Sequence, residues 1–114
     1  MEVDLRQDGE NLIVRLTGEL DHHSATRLRR TIDRRLDKGE VRNLILNFQQ
    51  VSFMDSSGVG VILGRYRRVK GRGGKMALCL IPAGILKVLE ISGVPKIIPF
   101  MESEKQALEA VSQW

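Results

Sequence analysis

A chain of 114 residues with 42% apolar and 28% charged side chains has the makeup of one folded domain spanning residues 1–114, and it excludes disorder. No apolar run approaches the ~20 residues of a membrane span, no basic-then-apolar leader opens the sequence, and Cys79 has no second cysteine to pair with, so a cytoplasmic protein without membrane contact, disulfide or thiolate metal site is expected. The net charge of +4 points toward nucleic acid, but Arg27, Arg29, Arg30, Arg34 and Arg35, and again Arg65, Arg67, Arg68, Lys70 and Arg72, alternate with apolar positions at helical spacing and read as solvated outer faces. With so few aromatics to stack on bases, no direct nucleic-acid partner is expected.

In chain order, Glu2 to Arg6 and Leu12 to Leu16 read as two strands around the turn Asp8-Gly9-Glu10-Asn11. Ala25, Leu28, Ile32 and Leu36 recur at helical spacing, with Ser24 as the expected N-cap and Gly39 as a left-handed stop. Asn43 to Phe48 is near-continuously hydrophobic, as a central strand covered on both faces would be. A helix after Ser57 is expected to bury Val59, Ile62, Leu63, Tyr66 and Val69 and to end in Gly71-Arg72-Gly73-Gly74. Lys75 to Leu80 predicts a strand that stops before Pro82, and a short helix follows with Ile85, Val88, Leu89 and Ile91 inward, closed by Gly93. Lys96 to Ile98 predicts a last strand before Pro99, and Ser103 with Gln106 predicts a capping box for a final helix burying Ala107, Leu108 and Val111. The order β-β-α-β-α-β-α-β-α implies an α/β fold with one mixed, largely parallel sheet.

The segment Ser52-Phe53-Met54-Asp55-Ser56-Ser57-Gly58-Val59-Gly60 carries the chemistry. It lies past the carboxyl end of the central strand, where α/β sheets place their ligands, and at a helix N-terminus whose free N–H groups tolerate an added anion. One reading is a plain cap, Asp55 or Ser56, with Gly58 and Gly60 allowing close packing on the sheet; the other is a site at which a phosphate is attached and displayed. Enzymatic readings fit less well. A nucleophile elbow needs G-x-S-x-G, but Met54 and Asp55 stand two places before the serines. A dinucleotide loop built on Gly58, Gly60 and Gly64 has no P-loop lysine, no acidic ribose ligand after the fourth strand, and too long a gap from Phe48. His22-His23 beside Asp21 lacks the further carboxylates of a two-metal site. No catalytic residue, metal site or cofactor is expected.

Gly18-Glu19-Leu20-Asp21-His22-His23, together with the run from Ser52 to Tyr66, closely resembles the anti-sigma factor antagonists of the STAS family, nearest to its sporulation branch; Ser92-Gly93 and Lys96-Ile97-Ile98 add a third segment. The resemblance implies a non-enzymatic switch. Ser56, the first serine after the aspartate, would be phosphorylated by the partner itself, an ATP-binding anti-sigma factor that is also a serine kinase. The unphosphorylated chain would bind that partner in its nucleotide-bound state and free the sigma factor; the phosphorylated chain would not, and a serine phosphatase would reset it. A stress-response antagonist of the same family would carry the same pattern. The partner-binding surface is expected to comprise Asp21, Asp55, Ser56, Ser57, Gly58, Gly60, Gly64 and Arg65, although Asp21 reads equally as a helix cap acting with Ser24.

Overall fold

Alternation of apolar side chains along β2 (Asn11–Leu20) assigns its two faces to different neighbours. Leu12, Val14 and Leu16 point into one cluster, shared with Leu44, Leu46 and Phe48 of β3 (Asn43–Met54) and with Leu28, Ile32 and Leu36 of α1 (His22–Asp37). Ile13 faces the opposite way, into a smaller cluster with Ile45, Ala77 and Cys79 beneath Ala107 and Val111 of α4 (Glu104–Ser112). Both faces of the central strands are therefore covered, which is why β3 is buried without interruption from Asn43 to Phe48. A computed structural model describes residues 1–112; Trp114 lies outside them.

The sheet has five strands in the order β1-β2-β3-β4-β5. β1 (Glu2–Asp8) pairs antiparallel with β2 through a tight turn in which Gly9 takes a positive φ of 60°. The pairs β2 with β3, β3 with β4 (Met76–Cys79), and β4 with β5 (Phe100–Met101) are parallel. Helices α1, α2 (Ser56–Gly71) and α3 (Ala83–Ile91) lie over the larger cluster and α4 over the smaller one. This is the mixed, largely parallel α/β architecture the element order implies.

Several boundaries differ from the expectations for physical reasons. β2 and β3 run on to Leu20 and Met54, well beyond Leu16 and Phe48, because register shifts at Arg15/Thr17 and Gly18/Glu19 carry the pairing past a stretch without apolar alternation. The last strand is not at Lys96 to Ile98. Val94–Lys96 form a 3-10 turn, since Pro95 fixes the backbone there and the N–H groups of Ile97 and Ile98 both donate to the Val94 carbonyl at 3.0 Å. The ladder with β4 resumes only beyond Pro99. Ile91 points outward and is 88% exposed, while Ile85 and Leu89 carry the contact of α3. In α4, Ser103 caps the Gln106 N–H at 3.1 Å, but Gln106 reaches back to the Glu102 N–H instead of the cap's own, so the box is displaced by one residue.

Candidate functional site

The extension of β2 and β3 decides the geometry of the site. Leu20 pairs with Met54 in the last register of the parallel ladder, and the Asp55 N–H donates to the Leu20 carbonyl at 3.3 Å. Two aspartates thus emerge side by side at the carboxyl edge of the sheet, and each caps the helix that follows. Asp21, not Ser24, is the N-cap of α1. Its Oδ1 accepts the N–H groups of His23 and Ser24, both at 3.0 Å, while Ser24 Oγ accepts the Asp21 N–H at 2.9 Å and donates to the Glu19 carbonyl at 2.8 Å. The hydrogen bonds with Ser24, that of its backbone N–H foremost, hold the Asp21 carboxyl below the usual carboxylate range.

Asp55 performs the same task for α2, its Oδ1 accepting the Ser57 N–H at 2.8 Å. A carboxylate is the stronger acceptor in a charge-assisted bond, so the aspartate takes the cap and leaves the serines free. Ser56 becomes the first helical residue. It is exposed, and among the described residues its hydroxyl has no hydrogen-bond partner. Ser57 is half-buried, its hydroxyl likewise unengaged.

The glycines separate into two kinds. At Gly58 an added Cβ would lie 2.6 Å from Met54 Cγ and 2.9 Å from Leu20 Cγ and Cδ2, so this glycine is what lets α2 close onto the ends of β2 and β3. Gly60 and Gly64 are different: a Cβ at either would meet nothing within 4 Å. They do not serve helix–sheet packing. Instead they open a groove of about 340 Å³ between α1 and α2, lined by Thr26 and Arg29 on one side and by Ser57, Gly60, Gly64 and Arg65 on the other.

Arg65 is not a solvated outer residue. It is only 7% exposed, with Nε 3.0 Å from Asp33 Oδ1 across the helix pair. Arg68 reaches the same oxygen at 2.9 Å and Asp37 at 2.6 Å. Arg65 Nε, Arg65 Nη1 and Asp33 Oδ1 are all buried and make no aligned hydrogen bond, so the contact is an ion pair. Burial lowers the proton affinity of this guanidinium, Asp33 opposes that effect, and the neighbouring Arg29 and Arg68 reinforce it. Arg27, Arg29, Arg30 and Arg34, by contrast, are exposed as expected.

The strand now ends at Met54, so distance no longer argues against a dinucleotide loop; the missing lysine and acidic ligand still do. The expected site residues come together: Asp21, Asp55, Ser56, Ser57 and Gly58 at the strand ends, and Gly60, Gly64 and Arg65 along the groove that leads away from them. Two features of the site are not anticipated by the sequence patterns. Phe53 is 46% exposed next to the junction, and Arg29 faces the groove one helical repeat of seven residues after His22. Spacing from the Asp21 cap would have placed Arg29 on that side of α1.

A family model described as the STAS domain matches residues 2–107. An anti-sigma F factor antagonist of Paenibacillus polymyxa is 38% identical over 108 residues, covering 95% of this chain and 92% of that protein. An anti-sigma-B factor antagonist of Bacillus subtilis (strain 168) is 32% identical over 98 residues, with 86% and 88% covered. Among solved structures, the unphosphorylated form of the anti-sigma factor antagonist SpoIIAA superposes with a TM-score of 0.86 at 35% identity, covering 97% of this chain and 96% of that one. The phosphorylated form of the Bacillus cell fate determinant SpoIIAA superposes with a TM-score of 0.77 at 35% identity, covering 96% and 99%.

Proposed function

This chain belongs to the STAS domain family, and we propose that within it the chain is an anti-sigma factor antagonist controlled by phosphorylation of Ser56. The sporulation branch is favoured over the stress-response branch, given 38% identity to an anti-sigma F factor antagonist against 32% to an anti-sigma-B factor antagonist. In this reading an anti-sigma factor that is also a serine kinase docks on the junction of β3 and α2, transfers phosphate from ATP to Ser56, and is thereby released; a serine phosphatase restores the hydroxyl.

The observation that carries the reading is the unengaged, exposed hydroxyl of Ser56 at the first position of α2, beside an aspartate that already supplies the cap. A phosphate there breaks no hydrogen bond of the fold. It adds about −1.5 to −2 charges and three acceptor oxygens. The helix N-terminus favours that charge, Asp55 opposes it, and the fold survives. A partner packed against a neutral hydroxyl meets instead a bulky hydrated dianion next to a carboxylate. Moving a population from 1:99 to 99:1 requires about 5.5 kcal/mol of differential affinity, and exclusion of a dianion from a desolvated contact is the term of that order available here.

SpoIIAA, solved both unphosphorylated and phosphorylated, supports the reading by likeness. The outward-facing Gly60 and Gly64 support it physically. A glycine inside a helix costs about 1 kcal/mol relative to alanine, and here no internal contact demands it, whereas a partner backbone lying close against α2 would. The test is to incubate the chain with ATP and the anti-sigma factor of the same genome and to map phosphate by peptide mass spectrometry. A single phosphoserine at Ser56, lost in Ser56→Ala and kept in Ser57→Ala, is the expected result; phosphate on Ser57, or on neither, overturns the assignment.

A further inference from the structure

The groove between α1 and α2 holds more positive charge than the fold can use. Asp33 receives both Arg65 and Arg68, Asp37 receives Arg68 again, and Arg29 at the groove has no ion-pair partner among the described residues. Beneath it Arg65 Nη1 is shut away from water with its donors unanswered. A buried donor without an acceptor costs free energy in the free protein, and a second guanidinium close by raises that cost. Within the interior, among the described residues, only the Asp33 carboxylate opposes it. Arg65 also lines the groove, which is kept clear by Gly60 and Gly64, since any side chain at either would project into empty space on that side.

Resting on the docking reading above, we propose that this groove is the socket for an acidic side chain of the anti-sigma factor, held by Arg29 at its mouth and Arg65 in its floor. Carboxylate geometry suits the pair. Guanidinium N–H groups present parallel donors that a carboxylate accepts with both oxygens, and the half-buried Ser57 hydroxyl at the near end of the groove adds a neutral donor. The socket also has a place in the switch. It opens from α2 one and two turns beyond Ser56, so a partner seated in it is brought across the hydroxyl that the phosphate would occupy. Anchor and lock share one helix. Arg65, buried and bound to Asp33, fixes the position of the socket; Arg29, exposed, supplies the charge that first meets the incoming carboxylate.

The experiment titrates the anti-sigma factor of the same genome, with ADP present, into the unphosphorylated full chain and two variants, with arginine side-chain NMR on the complex. Arg29→Ala removes the mouth of the socket without touching the buried pair. Arg34→Ala makes the same change of charge on the same helix, outside the groove. The expected result is a loss of affinity of about tenfold or more for Arg29→Ala, none for Arg34→Ala, and a displaced Arg65 guanidinium resonance in the wild-type complex. Equal affinity of wild type and Arg29→Ala, equal weakening by both variants, or an unmoved Arg65 resonance overturns the socket while leaving the docking reading intact. Failure of the wild-type chain to bind at all overturns the docking reading, and the socket with it.

Discussion

Gly58, Gly60 and Gly64 stand on one helix within two turns, yet substitution should move them in opposite directions. At Gly58 a methyl group meets Met54 and Leu20 at under 3 Å, so Gly58→Ala forces the ends of β2 and β3 apart from α2. The expected cost is about 1–3 kcal/mol, read as a lowered denaturation midpoint with an unchanged slope. At Gly60 the methyl meets nothing, so Gly60→Ala should stabilise the chain by up to ~1 kcal/mol through the helix alone, while weakening docking of the anti-sigma factor. A Gly60→Ala chain that is more stable and binds as tightly as wild type would show that the open groove serves no partner. Cys79 marks the other extreme of residue behaviour: burial pushes its thiol up to about 11, so it packs under α4 and stays unreactive.

Helix α4 is the element whose attachment depends on one carboxylate. Glu104, in its first turn, accepts Arg15 Nε at 2.7 Å and Nη2 at 2.8 Å from β2, and Asn47 Nδ2 at 2.6 Å from β3. The Arg15 hydrogen bonds, opposed by burial and helped by Asn47, hold the Glu104 carboxyl below its ordinary range. A lowered native value means the unfolded chain binds the proton more readily. The contribution of this clip is therefore complete above the ordinary glutamate range and drains away as pH falls through the lowered value. Glu104→Gln should cost about 1–3 kcal/mol at neutral pH and flatten the acid limb of the stability curve; amide exchange over residues 104–112 checks whether α4 is the element released. A Gln variant with the wild-type acid limb would refute the clip. Elements also differ in how plainly the sequence announces them. Helices α1 and α2 and the central part of β3 show through periodicity, because each buries one continuous stripe or face. The far halves of β2 and β3 do not, since bulges shift their register and Gln49, Gln50 and Ser52 face solvent. The two-residue β5 is set by pairing with Leu78 and Cys79, a long-range cause with no local pattern. Asp21, Asp55 and Ser56 are legible as a junction, but which of them caps is decided by hydrogen-bond strength, and the burial of Arg65 only by the packing of α1 on α2.

Over the whole molecule the charge is divided with the site at the boundary. Arg27, Arg30 and Arg34 form an exposed stripe on α1 with no ion pairs among the described residues, while Asp21 and Asp55 cap the carboxyl edge of the sheet. Such a field, summed over several residues, hastens encounter with an acidic surface and fades with added salt, so losing one of its charges leaves affinity nearly unchanged. Docking itself is decided by the short-range contacts at Ser56 and in the groove. A switch of this kind requires that a phosphate change affinity and leave the fold alone. Calorimetric titration of the nucleotide-bound anti-sigma factor into unmodified and Ser56-phosphorylated chain tests this most directly. The prediction is a loss of about 100-fold or more on phosphorylation, close to 3 kcal/mol; equal affinity of the two forms would contradict it.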